Sequence, residues 1–290
     1  MRIVKVIGGL GNQMFQYALS VALRQAFPEE RVLLDLSCFR GYPKHFGFEL
    51  PGIFNISYEE ASWRDVMRVA YPFPNFQTWR FGSRLLPTRK STLLEKNDFT
   101  FEPTALTRPK DTYYDGYWQH EEYFRDIRPQ ILQAFCFPDF ADERNQQAAS
   151  RIAQTNSVGI HVRRGDYLTD PLFRGTGTLD YYTQAIRRMK ELTRPELFVV
   201  FSNDIGWTQQ NIAPIIGDVP ILYADWNTGP QSFHDIHLMS LCHHNIIANS
   251  SFSWWGAWLN TNEDKQVIAP AYWMNVKNVC SPAADSWLKL

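Results

Sequence analysis

Two stretches of the chain carry side chains suited to holding an anion. In VGIHVRRGDY, residues 158–167, an apolar run opens onto Arg163 and Arg164, followed by Gly165 and Asp166. A guanidinium is a planar fork that can bond two oxygens of a phosphate at once. Gly165 lets the chain turn sharply behind the arginines, and Asp166 can hold one guanidinium in place. In NIIANSSFSWWGAWLN, residues 245–260, an apolar run gives way to Asn249, Ser250 and Ser251 and then to a helical sequence. Free backbone amides, hydroxyl donors and the positive end of a helix dipole converge at such a point. Each stretch has an ordinary counterpart, a surface Arg/Asp pair for the first and serine capping for the second. Two strand ends of one sheet, bearing one such group each, point to a bound diphosphate more strongly than either alone.

Three further features refine the chemistry. GGLGNQ, residues 8–13, lies between a strand and a helix but lacks the G-x-G-x-x-G spacing, so no dinucleotide fingerprint is present. Its informative residue is Asn12, an amide placed where a helix start faces a cleft. In HDIHLMSLCHH the histidines His234, His237, His243 and His244 are interleaved with Phe233, Ile236, Met239 and Leu241, as in a packed helix rather than a metal site. Asp235 of the same stretch can accept both N–H groups of a guanine edge. No D-x-D occurs anywhere, so an arginine-neutralised diphosphate without a metal ion is expected.

These residues need a scaffold. Residues 3–7 read as a short strand, GGLGNQ as a tight turn, MFQYALSVALRQAF as a helix and RVLLDLS as a second strand. Between residues 39 and 111 the periodicity weakens, which predicts irregular structure with short helices. VGIHV, ELFVVFS, PILYA, NIIAN and QVIAP are apolar runs expected of parallel strands covered on both faces. The helical sequences LDYYTQAIRRMKEL, WTQQNIAPII, SFHDIHLMSLCHH and SFSWWGAWLN lie between them. This alternation predicts a doubly wound α/β domain with ligands at the carboxyl ends of its strands. FADERNQQAASRIAQTN is expected to connect two domains, 1–150 and 151–290.

Composition excludes other classes. A net charge of −1 provides no global field for nucleic acid. Aromatic residues, at 15%, suit sugar stacking but equally fill cores. Cys38, Cys136, Cys242 and Cys280 never form C-x-x-C, so reduced thiols are expected. MRIVKVIGGLGNQMF enters a glycine turn too early for a signal peptide, and no later run has the length and apolarity of a membrane span. A cytoplasmic protein is expected, with peripheral membrane contact left open.

HVRRGDY, GGLGNQMFQYA and LMSLCHHNIIANSSFSWWGAWL together resemble the bacterial α-1,2-fucosyltransferases, relatives of the α-1,6- and protein O-fucosyltransferases. The motifs stand in the family's order and span most of the chain. The resemblance implies a GT-B-type α/β fold, two Rossmann-like domains facing across a cleft. Residues 1–150 would mainly bind acceptor and 151–290 would mainly bind GDP-fucose. It implies inverting transfer of L-fucose from GDP-β-L-fucose to the 2-hydroxyl of a terminal β-galactoside, such as lactose or N-acetyllactosamine, in bacterial glycan or O-antigen synthesis. No cofactor or metal is implied.

Residue by residue, Arg163 matches the diphosphate-binding arginine, with Arg164 as a supporting charge. His161, Asp235, Ser250, Ser251, Phe252 and Ser253 resemble nucleotide contacts. Gly11 is an expected GDP-fucose contact; Asn12, expected to act in catalysis, resembles the asparagine that protein O-fucosyltransferases place beside the transferred sugar, and Ser202, Asn203 and Asp204 fall where ribose or fucose would lie. A glutamate that α-1,6 relatives carry after the arginine motif has no counterpart in TDPLFRG. Asp166 is therefore the expected base, with Asp170, His45 and Glu122 as competitors. His45, Trp118 and Glu122 are the expected acceptor contacts, and the aromatics of YYDGYWQHEEYF and PNFQTWRF are either acceptor walls or core. Two alternatives stand beside this reading: another fucose linkage, such as α-1,6, and a non-catalytic carbohydrate-binding protein, which would have no use for GDP.

Overall fold

A strand covered on both faces favours apolar residues, and most positions of both sheets follow this rule; Arg2 and Lys5 are buried exceptions, ion-paired with Glu30 and Asp115. The computed structural model describes residues 1–42, 44–96, 99–276, 279 and 281–290; the side chain of Asp166 also lies outside the described set, as does Cys280. The chain divides into two units, Met1–Pro138 and Asp139–Leu290.

The first unit contains β1 (Arg2–Lys5), α1 (Leu10–Ala26), β2 (Val32–Asp35), α2 (Leu50–Ile53), α3 (Trp63–Val69), α4 (Phe76–Leu85), β3 (Thr92–Leu94), β4 (Thr112–Asp115) and α5 (Arg128–Ala134). Its parallel sheet has the order β2-β1-β4-β3. Helix α1 is buried on several faces, as its apolar residues predict. The region expected to be irregular does hold short helices. Helices α3 and α4 start at capping boxes, Ser62 with Asp65 and Asn75 with Thr78. It also supplies β3, a strand the sequence reading did not anticipate.

The second unit contains α6 (Glu143–Ala153), β5 (Ser157–Val162), α7 (Leu179–Thr193), β6 (Leu197–Ser202), α8 (Ile205–Asn211), α9 (Ala213–Ile216), β7 (Ile221–Ala224), α10 (Phe233–Leu241), β8 (His244–Ile246), α11 (Ser251–Leu259), β9 (Val267–Ala269) and β10 (Leu288–Lys289). All neighbours in its sheet, order β10-β9-β8-β5-β6-β7, run parallel. Strand β6 shows why its sequence is apolar throughout. Phe198 and Val200 pack with Tyr182 and Ile186 of α7, whereas Leu197, Val199 and Phe201 pack with Ile152 of α6 and Leu238 of α10.

Two expectations need correction. Helix α6 belongs to the second unit rather than to a connector, because Ala148 and Ile152 enter the core beneath β6 and α10. The division accordingly falls at Pro138/Asp139 and not within α6 at residue 150. The single helix expected over WTQQNIAPII is two, α8 and α9. Pro214 sits in the first turn of α9, where its missing N–H is harmless but would break a continuing α8.

Candidate active site

In the second unit the chain leaves β5 for β6 on one side and later returns to pair β8 on the other. The gap between β5 and β8 is therefore a topological switch point, where α/β sheets take ligands beyond their carboxyl ends. Arg163 immediately follows β5, and residues 249–253 follow β8 after Ile247 and Ala248. The two anion-suited stretches thus lie on adjacent strand ends. The Tyr167 hydroxyl, on the 3-10 turn Gly165–Leu168, donates to the Asn249 carbonyl at 3.3 Å. The Arg163 guanidinium carbon lies 5.4 Å from the Tyr167 ring centroid, so one tyrosine joins the arginine loop to the start of α11.

At that start, Ser250 is the N-cap and its hydroxyl oxygen accepts from the Phe252 amide at 3.3 Å. Ser251 and Phe252 are half-buried. Ser253 is different: it is fully buried and its one hydroxyl hydrogen is shared between the carbonyls of Ala248 and Ser250, at 3.4 and 3.3 Å. Its hydrogen is committed to the turn and the oxygen is shut off from solvent, so the expected ligand contact becomes a positioning role. Asn249, which the sequence reading treated only as part of the helix opening, spends its amide N–H groups on Thr176 Oγ1 and the Trp273 carbonyl, at 2.8 and 3.0 Å. Its Oδ1 is buried with no hydrogen-bond partner among the described residues. His161 is buried 5.8 Å from the Phe252 ring, and its Nδ1 is likewise without a hydrogen-bond partner. Burial, reinforced by the Arg163 charge, pushes the His161 imidazolium down to about 3, so the ring is neutral at physiological pH. An acceptor oxygen and an imidazole nitrogen of this kind are what a polar ligand would satisfy.

Arg164 turns the other way, toward β6. Its amide donates to Asn203 Oδ1 at 2.9 Å, its Nε to Asp204 Oδ2 at 3.3 Å, and its guanidinium carbon lies 4.0 Å from the Trp207 ring centroid. Asp204 in turn caps α8 by accepting from the Trp207 amide at 3.1 Å, and its own amide donates to Ser202 Oγ at 3.0 Å. Ser202, Asn203, Asp204 and Trp207 therefore lock the loops after β5 and β6 together. Gly165 makes this possible: its φ is +44°, and a Cβ there would collide with the Asn203 amide. Trp207 escaped the sequence reading because a tryptophan on a short helix reads as core.

Asp235 sits in the first turn of α10 beside the loop after β7. Asn227 Nδ2 donates to its Oδ1 at 2.8 Å, and Asn227 is held by Asn145, which also accepts from Trp226 Nε1 at 2.9 Å. Burial pushes the Asp235 carboxyl up to about 7, and the Asn227 bond only partly offsets it. His237 of the same helix stacks on Phe140 at 4.2 Å, consistent with packing.

In the first unit the loops after β1 and β4 meet. Asn12 Oδ1 accepts from Gln119 Nε2 at 2.8 Å, and Gly8, at φ +94°, is confined because a Cβ would lie 2.7 Å from Asn12 Nδ2. A Cβ on Gly9 would lie 2.9 Å from the His45 ring, so Asn12 and His45 share one glycine turn, with Gly11 buried beside them in α1. Glu122 is apart from this set in its chemistry, being ion-paired with Arg125. Asp170 accepts from the Leu172 amide at 2.9 Å, closing its own turn. Trp118 is not an exposed wall: it is fully buried, edge-on to Tyr114 and Tyr123. That finding corrects its assignment as an acceptor contact. One group was missed. The Glu49 carboxyl is pushed up to about 7 by burial, and its amide donates to the side chain of Gln13, which also bonds the Gly8 carbonyl.

Two parallel Rossmann-like sheets, the second with a cation and a helix start at its switch point, have the architecture of the GT-B-type glycosyltransferases. The fold of a solved α-1,6-fucosyltransferase, NodZ soaked with GDP-fucose, matches it with a TM-score of 0.52 at 16% identity over 96% of each chain. The chain belongs to glycosyl transferase family 11, whose model matches residues 93–284. It is 33% identical to the O-antigen biosynthesis glycosyltransferase WbnK of Escherichia coli over 98% of each chain. It is also 31% identical to an alpha-1,2-colitosyltransferase of Escherichia coli, covering 99% of this chain and 98% of that one. Among the described residues no helix is long and apolar enough to cross a membrane.

Proposed function

We propose that the protein transfers L-fucose from GDP-β-L-fucose to the 2-hydroxyl of a terminal β-galactoside with inversion. The observation that carries this reading is the pairing of β5 with β8, which sets Arg163 and the start of α11 at one switch point. The acceptor oxygen attacks the anomeric carbon as the bond to the β-phosphate oxygen breaks, and GDP departs with that electron pair. Arg163 and the α11 amides stabilise the charge growing on the β-phosphate, and no metal is required. The acceptor proton passes to a carboxylate: Asp166 is the assignment from sequence, and Glu49 is a described carboxyl tuned near neutrality. Asn12 and His45 orient sugar hydroxyls. The colitosyltransferase relative favours one second reading, GDP-colitose as donor. Release of GDP from each donor, with and without lactose and with and without chelator, separates them. The proposal expects lactose-dependent release from GDP-fucose and an α-1,2 product. Turnover of GDP-colitose alone, an α-1,6 product, or GDP release that stops with chelator would overturn the corresponding part.

Asp235 is assigned the guanine N–H groups. Because its carboxyl is raised to about 7, the folded protein holds a proton there that the unfolded chain has already released, and the associated stability is lost as pH rises through 7. Asp235→Asn is thus expected to gain melting temperature relative to the parent above pH 7, while GDP affinity falls about tenfold or more, the size of one charged hydrogen-bonding partner. Thermal scans and GDP titrations at pH 6 and 8 check both. Parallel stability curves, or unchanged GDP affinity, would contradict the assignment.

A further inference from the structure

The first unit carries an arginine-rich, apolar surface that includes Arg80 and Phe81 of PNFQTWRF, a segment also open to the acceptor-wall reading. Between residues 61 and 90 the chain has five arginines and a lysine against one acidic residue, Asp65, although the whole chain has a net charge of −1. Asp65 is occupied by the capping box of α3. The cations are arranged. Arg64 and Arg68 lie four apart on α3, and Arg80 and Arg84 lie four apart on α4, so each helix projects a pair from one side. All four are exposed. Beside each pair stands an apolar pair at the same spacing: Trp63 and Met67, exposed to 54% and 50%, and Phe81 and Leu85, exposed to 63% and 81%.

The two helices are tied together. Arg89, after α4, donates to the Met67 and Ala70 carbonyls at the end of α3, each at 2.8 Å. Phe73 packs against Gly82, and both line a cavity of about 70 Å³ with Ala70, Tyr71, Trp79 and Leu86. Helix α4 is anchored by Trp79, whose ring lies 3.9 Å from Lys5 Nζ. That anchor leaves Phe81 and Leu85 on the outward part of the helix.

We propose that α3 and α4 form a docking surface for an anionic lipid bilayer. An apolar side chain left at this exposure is a cost in water, and an arginine pair beside it matches a negatively charged headgroup layer. Tryptophan is suited to the same boundary, where an apolar ring and a polar edge are both accommodated. Arginine stems can lie along the apolar side chains while their heads reach phosphate. A second copy of the chain is a poorer occupant, because self-pairing would set the arginine pairs of one patch against those of the other.

The test is co-sedimentation of the full chain with vesicles of phosphatidylcholine alone and of phosphatidylcholine with about one third phosphatidylglycerol. Binding to the anionic vesicles at low salt is expected, with release in high salt. Arg80→Gln with Arg84→Gln is expected to weaken partitioning about thirtyfold, at roughly a factor of five per cation. Phe81→Ser with Leu85→Ser is expected to weaken it by a similar order, through lost apolar insertion. Melting temperatures report that both variants fold. Failure to bind anionic vesicles, equal binding to neutral ones, or unchanged binding of both variants overturns the proposal. Concentration-dependent dimers abolished by Phe81→Ser with Leu85→Ser, without vesicle binding, would also overturn it and assign the patch to a second copy.

Discussion

Arg163→Ala is expected to lower turnover by about 10²–10³ while leaving the fold intact. The side chain is half-buried at the end of β5, outside the two apolar clusters that sandwich the sheet. Its charge is worth most when the leaving diphosphate acquires negative charge, so the loss should fall on kcat more than on KM. Arg163→Lys retains the charge but loses the planar fork and should fall between the parent and alanine. Arg164→Ala should behave differently, because Arg164 acts through Asn203, Asp204 and Trp207: weaker GDP binding is expected with a smaller change in kcat. Steady-state kinetics with GDP-fucose and lactose distinguish these patterns. Equal turnover for Arg163→Ala and the parent would remove the residue from the mechanism.

The largest expected effect on stability is Trp254→Ala, about 3–5 kcal/mol. Trp254 is fully buried in α11, stacked at 6.0 Å on Trp258 and in contact with Trp255 and Trp287 at 5.0 and 5.5 Å. Its Nε1–H donates to the Pro282 carbonyl at 2.8 Å, which ties α11 to the chain that leads into β10. Truncation leaves a cavity and an unpaired carbonyl together, a large fraction of the stability of an ordinary domain. Trp254→Phe keeps most of the volume and should cost less. Urea unfolding monitored by far-UV circular dichroism measures both. A loss below about 1 kcal/mol for the alanine variant would mean that this aromatic cluster does not anchor the helix.

The strands of the second unit were legible because burial on both faces forces continuous apolar runs, and Leu197 to Phe201 show that rule residue by residue. Helix α6 was misplaced because ERNQQAASRIA is mostly polar; only Ala148 and Ile152 mark its buried face, too few to distinguish a connector from a covering helix. Strands β3 and β10 are short and incompletely buried, so neither lies in the buried apolar run that makes the equally short β8 and β9 readable. The site divides similarly. Arginines after one strand and serines opening a helix after another could be read directly, but the adjacency of β5 and β8 depends on strand order, which local sequence does not encode. Trp118 and Ser253 illustrate the remaining limit. An aromatic ring suits a sugar or a core, and a serine hydroxyl suits a ligand or its own turn, so the residue type alone cannot decide. The pairing of Asn12 with Gln119, far apart in the chain, is of the same kind.

A crystal structure with GDP bound locates the diphosphate relative to Arg163 and α11. The diphosphate is predicted to lie beyond the carboxyl ends of β5 and β8, with β-phosphate oxygens within about 3 Å of the Arg163 guanidinium and of backbone N–H groups at the start of α11. GDP bound with its diphosphate against any other set of residues, leaving Arg163 and the Ser250 turn unengaged, would show that the leaving group is held elsewhere.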